Sequence, residues 1–170
     1  MAEQYIVQYQ TVHFNLNGRD VERTVDVRAS LTDMLRNDFH MTSVKKGCEV
    51  GECGACTVLI DGEAFNSCIY LAVWAEGKHI RTLEGLLGPD GEISDIQQAF
   101  VEEAAVQCGF CTPGVILTAV EILESGKEYT DEELRKLLSG HPCRCTGYEN
   151  ILRAVKKTMY RRLGKPVPEP

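Results

Sequence analysis

Apolar and polar residues alternate along the first part of the chain with the period of two that is typical of β-strands. Residues 5–16 form the first such run, and Asn17-Gly18 directly after it favours a two-residue hairpin turn. The alternation resumes over residues 21–27, which predicts a return strand paired with the first. The chain is therefore predicted to begin with a β-hairpin.

A helix and a second hairpin follow in the pattern. Ser30 is typical of an N-cap, and the apolar residues after it predict a helix through Phe39. Two β-type runs at 57–60 and 63–68 are joined by Asp61-Gly62, which again favours a tight turn. Strands and one helix in this order predict a small α+β domain whose sheet covers the helix.

The next two segments complete this predicted domain. The apolar segment 69–75 is expected to pack inside it, and residues 79–83 are expected to form a closing strand. Glycine and proline are then concentrated at residues 86–92, which predicts a linker. After this linker the apolar positions recur with the helical period.

The second half of the chain is predicted to contain four helices in two pairs, from signals at their ends. These signals are the capping boxes Ser94/Gln97, Thr130/Glu133 and Thr146/Glu149, a helix start at Thr112-Pro113, and Gly140 as a C′ residue. The predicted organisation is a first domain over residues 1–85, a linker over 86–93, a helical domain over 94–163 and an irregular tail over 164–170.

The strongest chemical signal lies between the predicted helix and the second hairpin. Cys48, Cys53 and Cys56 follow the C-x4-C-x2-C spacing of plant-type [2Fe–2S] proteins, and Cys68 supplies a fourth thiol. Glycines at positions 47, 51 and 54 allow positive φ values and a close approach of the backbone to a metal centre. Backbone N–H groups at such a centre stabilise its sulfurs and tune its potential.

Disulfides and zinc are the alternatives for these cysteines. The eight cysteines of the chain could form four disulfides, but the first residues lack the pattern of a signal peptide, so a reducing compartment is expected. Zinc is the better rival because four-cysteine zinc sites also use C-x2-C pairs. Spacing and glycine content favour iron and sulfur.

A second set of four cysteines lies in the helical half. Cys108 and Cys111 fall between the first two predicted helices, and Cys143 and Cys145 fall between the last two. Two helix pairs that each offer two thiols from a turn can converge on one metal centre. This spacing is less diagnostic than the first, and it leaves zinc open as the alternative to a second iron–sulfur cluster.

Charge and hydropathy exclude several classes of function. The net charge of −7 over 170 residues argues against a nucleic-acid surface, and no apolar run reaches the length of a membrane span. We therefore expect a cytoplasmic protein. No P-loop or dinucleotide-binding fingerprint is present, so nicotinamide or flavin chemistry must belong to another chain.

Other polar residues fit ordinary surface roles. The basic residues of the last helix are expected to form a solvated face, with partner docking as the alternative, and Lys45-Lys46 is interpreted in the same way. The histidines have no metal-ligand spacing and are interpreted as surface or turn residues; they are His13, His40, His79 and His141.

Several longer motifs resemble a known family. The segments GCEVGECGACTVLIDG, SCIYLAVWAEG, RTLEGL, AVQCGFCTPG and HPCRCTGYENI resemble the small iron–sulfur subunit of the molybdenum hydroxylases, the xanthine dehydrogenase and aldehyde oxidoreductase family. The resemblance runs from about residue 5 to about residue 155 and includes all eight cysteines. It implies an N-terminal ferredoxin-like β-grasp domain followed by a C-terminal four-helix domain.

The resemblance also implies a role for each cysteine set. Cys48, Cys53, Cys56 and Cys68 would hold the [2Fe–2S] cluster that passes electrons towards a flavin, and Cys108, Cys111, Cys143 and Cys145 would hold the cluster nearer the molybdopterin. Gln107 resembles a glutamine that hydrogen-bonds the pterin, although by its position alone it is an exposed residue at a helix end. Cys145 and Gly147 would also lie near the pterin.

We therefore predict an electron-transfer subunit of an oxidoreductase, with no catalytic site for substrate on this chain. Its partners would be a molybdopterin-binding large subunit and an FAD-binding medium subunit. Motifs such as YLAVWAEGK and IRTLEGL are most similar to bacterial xanthine dehydrogenase small subunits, which favours xanthine or a related purine as substrate. The alternatives are an aldehyde or other N-heterocycle hydroxylase, a free ferredoxin-like carrier, and a structural zinc protein.

Overall fold

The computed structural model describes residues 8–168, so residues 5–7 of the predicted first strand lie outside the described part. The first half forms a five-stranded mixed sheet in the order β2-β1-β5-β3-β4, in which only the β1–β5 pair is parallel. The strands are β1 (Tyr9–Leu16), β2 (Arg19–Asp26), β3 (Thr57–Ile60), β4 (Glu63–Asn66) and β5 (His79–Arg81).

The predicted turns and first helix are present. Asn17 and Gly18 have φ values of 53° and 82°, and Asp61 and Gly62 have values of 52° and 93°, as a type I′ turn requires. The Ser30 side chain accepts a hydrogen bond from the Asp33 N–H and so caps α1 (Leu31–Asp33). The helix then continues as a wider π-helical turn (Met34–Asp38), which the sequence pattern does not reveal.

The apolar segment 69–75 differs from its prediction. Two short 3₁₀ turns, Ser67–Ile69 and Ala72–Ala75, replace the end of the predicted fourth strand and the buried run. Within residues 69–75 only Ala72 and Ala75 are buried, whereas Ile69 is 61% exposed and Trp74 is 54% exposed.

The second half contains four helices in the described part of the chain. They are α2 (Asp95–Glu102), α3 (Thr112–Glu124), α4 (Asp131–Leu137) and α5 (Glu149–Arg162). The capping boxes of α2 and α4 form as predicted, and α3 has its proline in the first turn. No helix among residues 8–168 is long and apolar enough to cross a membrane.

Two predicted helix ends are wrong. Thr146 does not cap α5, because its hydroxyl contacts the Cys143 thiol at 3.2 Å and accepts the Tyr148 N–H. Tyr148 takes the N-cap position with a φ of 69° instead. Gly140 is not the C′ residue of α4, since Leu138 is already its C-cap and the chain needs no left-handed residue at position 140.

The basic face of α5 is occupied by acidic residues of α2. Lys157 and Arg161 both contact Glu102, at 2.9 and 3.0 Å, and Arg162 contacts Asp95 at 2.6 Å. Partly exposed pairs of this kind stabilise a protein only weakly. They nevertheless show that this face is paired within the chain, so it is neither simply solvated nor a free basic surface for a partner.

Strand β3 joins the two halves, because both of its faces are buried. Val58 and Ile60 pack into the core under the sheet, whereas Leu59 packs into the core of the helical half. Helix α3 lies against this second face, and its Glu121 accepts the backbone N–H of Ala64 on β4 at 3.1 Å. The helical half is therefore attached to the sheet by shared apolar packing as well as by the connecting chain.

Candidate metal centres

The first cysteine loop (residues 47–56) directs backbone N–H groups at sulfur. The N–H groups of Glu52 and Cys53 donate to the Cys48 thiol at 3.2 and 3.4 Å. Together with the N–H of Val50, these donors lower the pKa of Cys48 to about 6. The loop thus stabilises a thiolate, which is the form that ligates metals.

Glycines make this close approach possible in two ways. Gly51 and Gly54 have positive φ values of 81° and 64°, as expected. Gly47 does not, but a Cβ there would lie 2.8 Å from the Cys53 sulfur. The Asn66 side chain donates to the Gly51 carbonyl at 2.8 Å and anchors the loop to the end of β4.

The fourth thiol is brought to the loop by a buried serine. Ser67 is fully buried, and its hydroxyl donates to the Cys56 carbonyl at 2.6 Å. This contact places Cys68 beside Cys56, with which it interacts, and burial raises the pKa of Cys68 to about 11. Sequence analysis missed Ser67; its place directly before a predicted cysteine ligand was the available signal.

The helical half brings its four cysteines together from two segments. Cys108 precedes α3 and Cys111 is its N-cap, whereas the other two lie in the second cysteine loop (residues 139–148). The thiols of Cys108 and Cys145 are 3.5 Å apart, and those of Cys111 and Cys143 interact as well. The Cys143 N–H donates to the Tyr148 hydroxyl at 2.6 Å, which fixes this turn.

The thiols of this second set have unequal environments. Burial raises the pKa of Cys111 to about 12. Burial also acts to raise the pKa of Cys143, but the Thr146 hydroxyl and the N–H groups of Thr146 and Cys145 outweigh it and lower the value to about 7. Cys108 and Cys145 are exposed. One side of the set is therefore open, while the other is covered.

Both sets of thiols are arranged as two pairs. The pairs are Cys48 with Cys53, Cys56 with Cys68, Cys108 with Cys145, and Cys111 with Cys143. A mononuclear zinc site, by contrast, arranges all four ligands around one ion. Two pairs per set suit a two-iron cluster, with one pair of thiolates on each iron.

The residues predicted to lie near a pterin are exposed beside the second set. Gln107 precedes Cys108 directly, and Gly147 follows Cys145 by two positions with a φ of 65°. The apolar side chain of Phe110 is 47% exposed, and a Cβ on Gly47 of the first cysteine loop would lie 3.5 Å from its ring. Gln107, Cys145 and Gly147 are thus accessible to a partner, as their predicted role needs.

The histidine prediction is wrong for one residue. His13, His40 and His79 are exposed as expected, but His141 is only 4% exposed. Burial lowers the pKa of His141 to about 4, against a smaller opposing effect of the Gly54 backbone. The imidazole lies between the two cysteine loops, which no spacing in the sequence indicates.

Two family models match the chain, one after the other. Residues 14–82 match the family model of the 2Fe-2S iron-sulfur cluster binding domain, and residues 82–156 match that of the [2Fe-2S] binding domain. The chain is 49% identical over 144 residues to the nicotine 6-hydroxylase small subunit of Paenarthrobacter nicotinovorans, covering 85% of this chain and 86% of that protein.

Two further matches extend the comparison. The xanthine dehydrogenase iron-sulfur-binding subunit of Escherichia coli O157:H7 is 48% identical over 147 residues, which cover 85% of this chain and 91% of the relative. Among solved structures, a chain of quinoline 2-oxidoreductase from Pseudomonas putida 86 superposes with a TM-score of 0.87 at 39% identity, covering 95% of this chain and 99% of that chain.

Proposed function

Because the chain belongs to the family of [2Fe–2S] small subunits of the molybdenum hydroxylases, we propose that it carries electrons from a molybdopterin centre on a large partner subunit to FAD on a medium one. A [2Fe–2S] cluster supplies one-electron redox chemistry. Two clusters in series suit the transfer of two substrate electrons one at a time. The bond-breaking step belongs to the molybdenum subunit.

One observation carries the assignment of ligands: each set of four cysteines is divided into two pairs. Cys48 and Cys53 would hold one iron of the first cluster, and Cys56 and Cys68 the other. Cys108 with Cys145, and Cys111 with Cys143, would divide the second cluster in the same way. The N–H donors at Cys48 and the close approach of Gly47 to sulfur fit an anionic cluster.

The second cluster is assigned to the molybdopterin side. Its exposed thiols, Cys108 and Cys145, lie on the open side of the helical half, next to Gln107 and Gly147. We assign Gln107 as the side chain that hydrogen-bonds the pterin. The first cluster then lies one step further along the path, towards the FAD subunit.

The domain organisation is proposed with the boundaries given by the sequence pattern. The ferredoxin-like β-grasp domain covers residues 1–85, the linker 86–93, the four-helix domain 94–163 and the tail 164–170. The change from sheet to helices after β5 supports this division. A reducing, cytoplasmic location is proposed as well, because all eight cysteines are assigned to iron rather than to disulfides.

The substrate is proposed to be xanthine or a related purine. Relatives of similar identity are named for nicotine, nicotinate, caffeine and xanthine, and a more distant one for aldehydes. Most of these are nitrogen heterocycles, which supports a heterocycle over an aldehyde. Purification of the native complex and assay with purines, pyridines and aldehydes decides the class. Turnover restricted to pyridines or to aldehydes would contradict the choice of a purine.

Metal analysis tests the two-cluster proposal. A fully loaded chain should contain about four iron and about four acid-labile sulfide, because each cluster has two of each. Zinc in the helical half, or only two irons, would contradict the proposal. Gel filtration of the native protein separates a subunit from a free carrier, since a free carrier elutes as a monomer.

Two cysteine variants test the order of the clusters. Serine supplies a harder oxygen ligand, which lowers the reduction potential of a cluster or causes the cluster to be lost. In the assembled complex, Cys108→Ser should prevent fast reduction of the N-terminal cluster by substrate, whereas Cys53→Ser should leave the helical cluster rapidly reducible and stall the flavin. The subunit content of each variant complex is checked first. Rapid mixing with substrate, followed by the spectrum of each cluster, then measures how fast each cluster and the flavin are reduced. Fast reduction of the N-terminal cluster in Cys108→Ser would show that the order is wrong.

A further inference from the structure

His141 is a buried polar residue that contacts both cysteine-bearing halves. Its Nε2 lies 2.7 Å from the Thr118 hydroxyl on α3, and Thr118 is itself buried. Its Nδ1 faces the Gly54 backbone, which acts to raise the pKa of the ring, but it makes no hydrogen bond of normal geometry to any residue between 8 and 168. Burial of an unpaired polar atom costs free energy, so an imidazole in this place needs an explanation beyond filling space.

The contact of His141 with the first cysteine loop is unusually close. A Cβ on Gly54 would overlap Nδ1 and would lie 2.7 Å from the Cε1 atom of His141 and 2.6 Å from the Gly140 carbonyl oxygen. A Cβ on Gly114, in the first turn of α3, would overlap the Gly54 carbonyl oxygen. The Gly54 backbone is therefore enclosed between the His141 ring and α3.

Each member of this contact lies close to cysteines in the chain. Gly54 lies between Cys53 and Cys56, Gly114 follows Cys111 by three residues, and His141 precedes Cys143 by two. A shift at the contact is therefore carried to the thiols of both sets through only a few peptide bonds. Close-packed interiors transmit such shifts with little damping.

We propose that His141 is a positioning residue that sets the distance and orientation between the two clusters, by holding Gly54 of the first cysteine loop against α3 and the second cysteine loop. The proposal rests on the proposed function, because it needs a cluster in each set. The rate of electron transfer falls steeply with distance, so a rigid contact between the loops keeps transfer between the clusters fast.

Three substitutions test the role of this contact in the native complex. His141→Ala removes the ring, and Thr118→Val removes the hydroxyl that orients it while keeping the shape of the side chain. His141→Gln carries an amide towards the position of Nε2, so it should restore part of the Thr118 contact. Thr158→Val is the matched control, because Thr158 is another buried threonine whose hydroxyl bonds only within α5, to the Ala154 carbonyl at 2.9 Å.

The measurement is the magnetic dipolar splitting between the two reduced clusters in electron paramagnetic resonance spectra. In His141→Ala and Thr118→Val we expect full iron content and the normal spectrum of each cluster at partial reduction, but a smaller or broadened splitting at full reduction. Electron transfer between the clusters should slow in parallel. His141→Gln should recover part of the splitting, and Thr158→Val should match the wild type.

An unchanged splitting in iron-replete His141→Ala and Thr118→Val would overturn the proposal. If His141→Ala fails to assemble, an unchanged splitting in iron-replete Thr118→Val is sufficient to overturn the proposal. Failure of the proposed function has different signatures: the wild-type protein would lack one of the two cluster spectra, or it would elute from gel filtration as a free monomer.

Discussion

Gly114→Ala changes the contact between the halves by a single methyl group, and its two effects have opposite signs. Alanine in a helix is favoured over glycine by about 1 kcal/mol, which would stabilise α3. The new Cβ, however, overlaps the Gly54 carbonyl oxygen, well inside the 3.0 Å that such atoms keep. The Cβ of residue 114 is fixed by the backbone of α3, and the Gly54 oxygen is itself a backbone atom. Rotation of a side chain therefore cannot relieve the overlap. Overpacking of this kind costs about 1–3 kcal/mol.

We therefore expect Gly114→Ala to be less stable than the wild type by about 1 kcal/mol, the excess of the steric term over the helix propensity. For a chain of this length that is a fall in Tm of about 2–4 °C. Calorimetry of the iron-replete protein measures it. The first cluster, whose loop must move, should also lose iron to a chelator faster than the second.

Gly140→Ala is the control for this measurement. Its Cβ would meet no atom within 4 Å, and residue 140 does not need a positive φ. The expected Tm is that of the wild type or slightly above it, because alanine restricts the unfolded chain. A Gly114→Ala protein that is more stable than the wild type, with unchanged iron loss, would refute the steric argument and leave helix propensity as the dominant effect.

Three other substitutions have expected outcomes. Phe100→Ala removes a fully buried ring from the helical core and should lower the free energy of unfolding by about 3–5 kcal/mol, measured by denaturant titration. Asn66→Ala removes an anchor of the first cysteine loop and should speed iron loss from the first cluster alone in chelator assays. Burial acts to raise the pKa of Glu84, but hydrogen bonds from neighbouring hydroxyl groups outweigh this effect. The pKa of Glu84 in the folded protein is therefore lower than the usual glutamate value of 4.5. The ionised Glu84 therefore stabilises the fold above pH 4.5, and this contribution is lost as the pH falls through the lower folded-state pKa. The Tm difference between wild type and Glu84→Gln should be largest at pH 7 and shrink below pH 4.5.

Local signals in the sequence were sufficient where the chain interacts with its own neighbours. The hairpin turns at Asn17-Gly18 and Asp61-Gly62 follow from the φ values that each turn type demands. The capping boxes of α2 and α4 follow from hydrogen bonds within four residues. Each cysteine motif is local as well, but the second set of thiols forms only because residues 108–111 and 143–145 meet in the fold.

Sequence analysis failed where a distant contact decides the role of a residue. Thr146 is a local exception: it has a capping-box spacing, but its hydroxyl contacts the nearby Cys143 thiol and Tyr148 N–H instead of capping α5. His141 looks like a turn residue, and only the approach of α3 and the first cysteine loop buries it. Such roles depend on the packing of segments far apart in the chain, to which propensity and spacing are insensitive.

The two buried faces of β3 have a consequence for the synthesis of the protein. Leu59 has its packing partners in helices that leave the ribosome some fifty residues later, and the Gly54 backbone is enclosed only when α3 and His141 are also present. A nascent chain that ends before α3 therefore exposes this face of the sheet to water and leaves the first cysteine loop without its contacts to α3 and His141. Insertion of the first cluster should consequently follow completion of the helical half, although its ligands are made first.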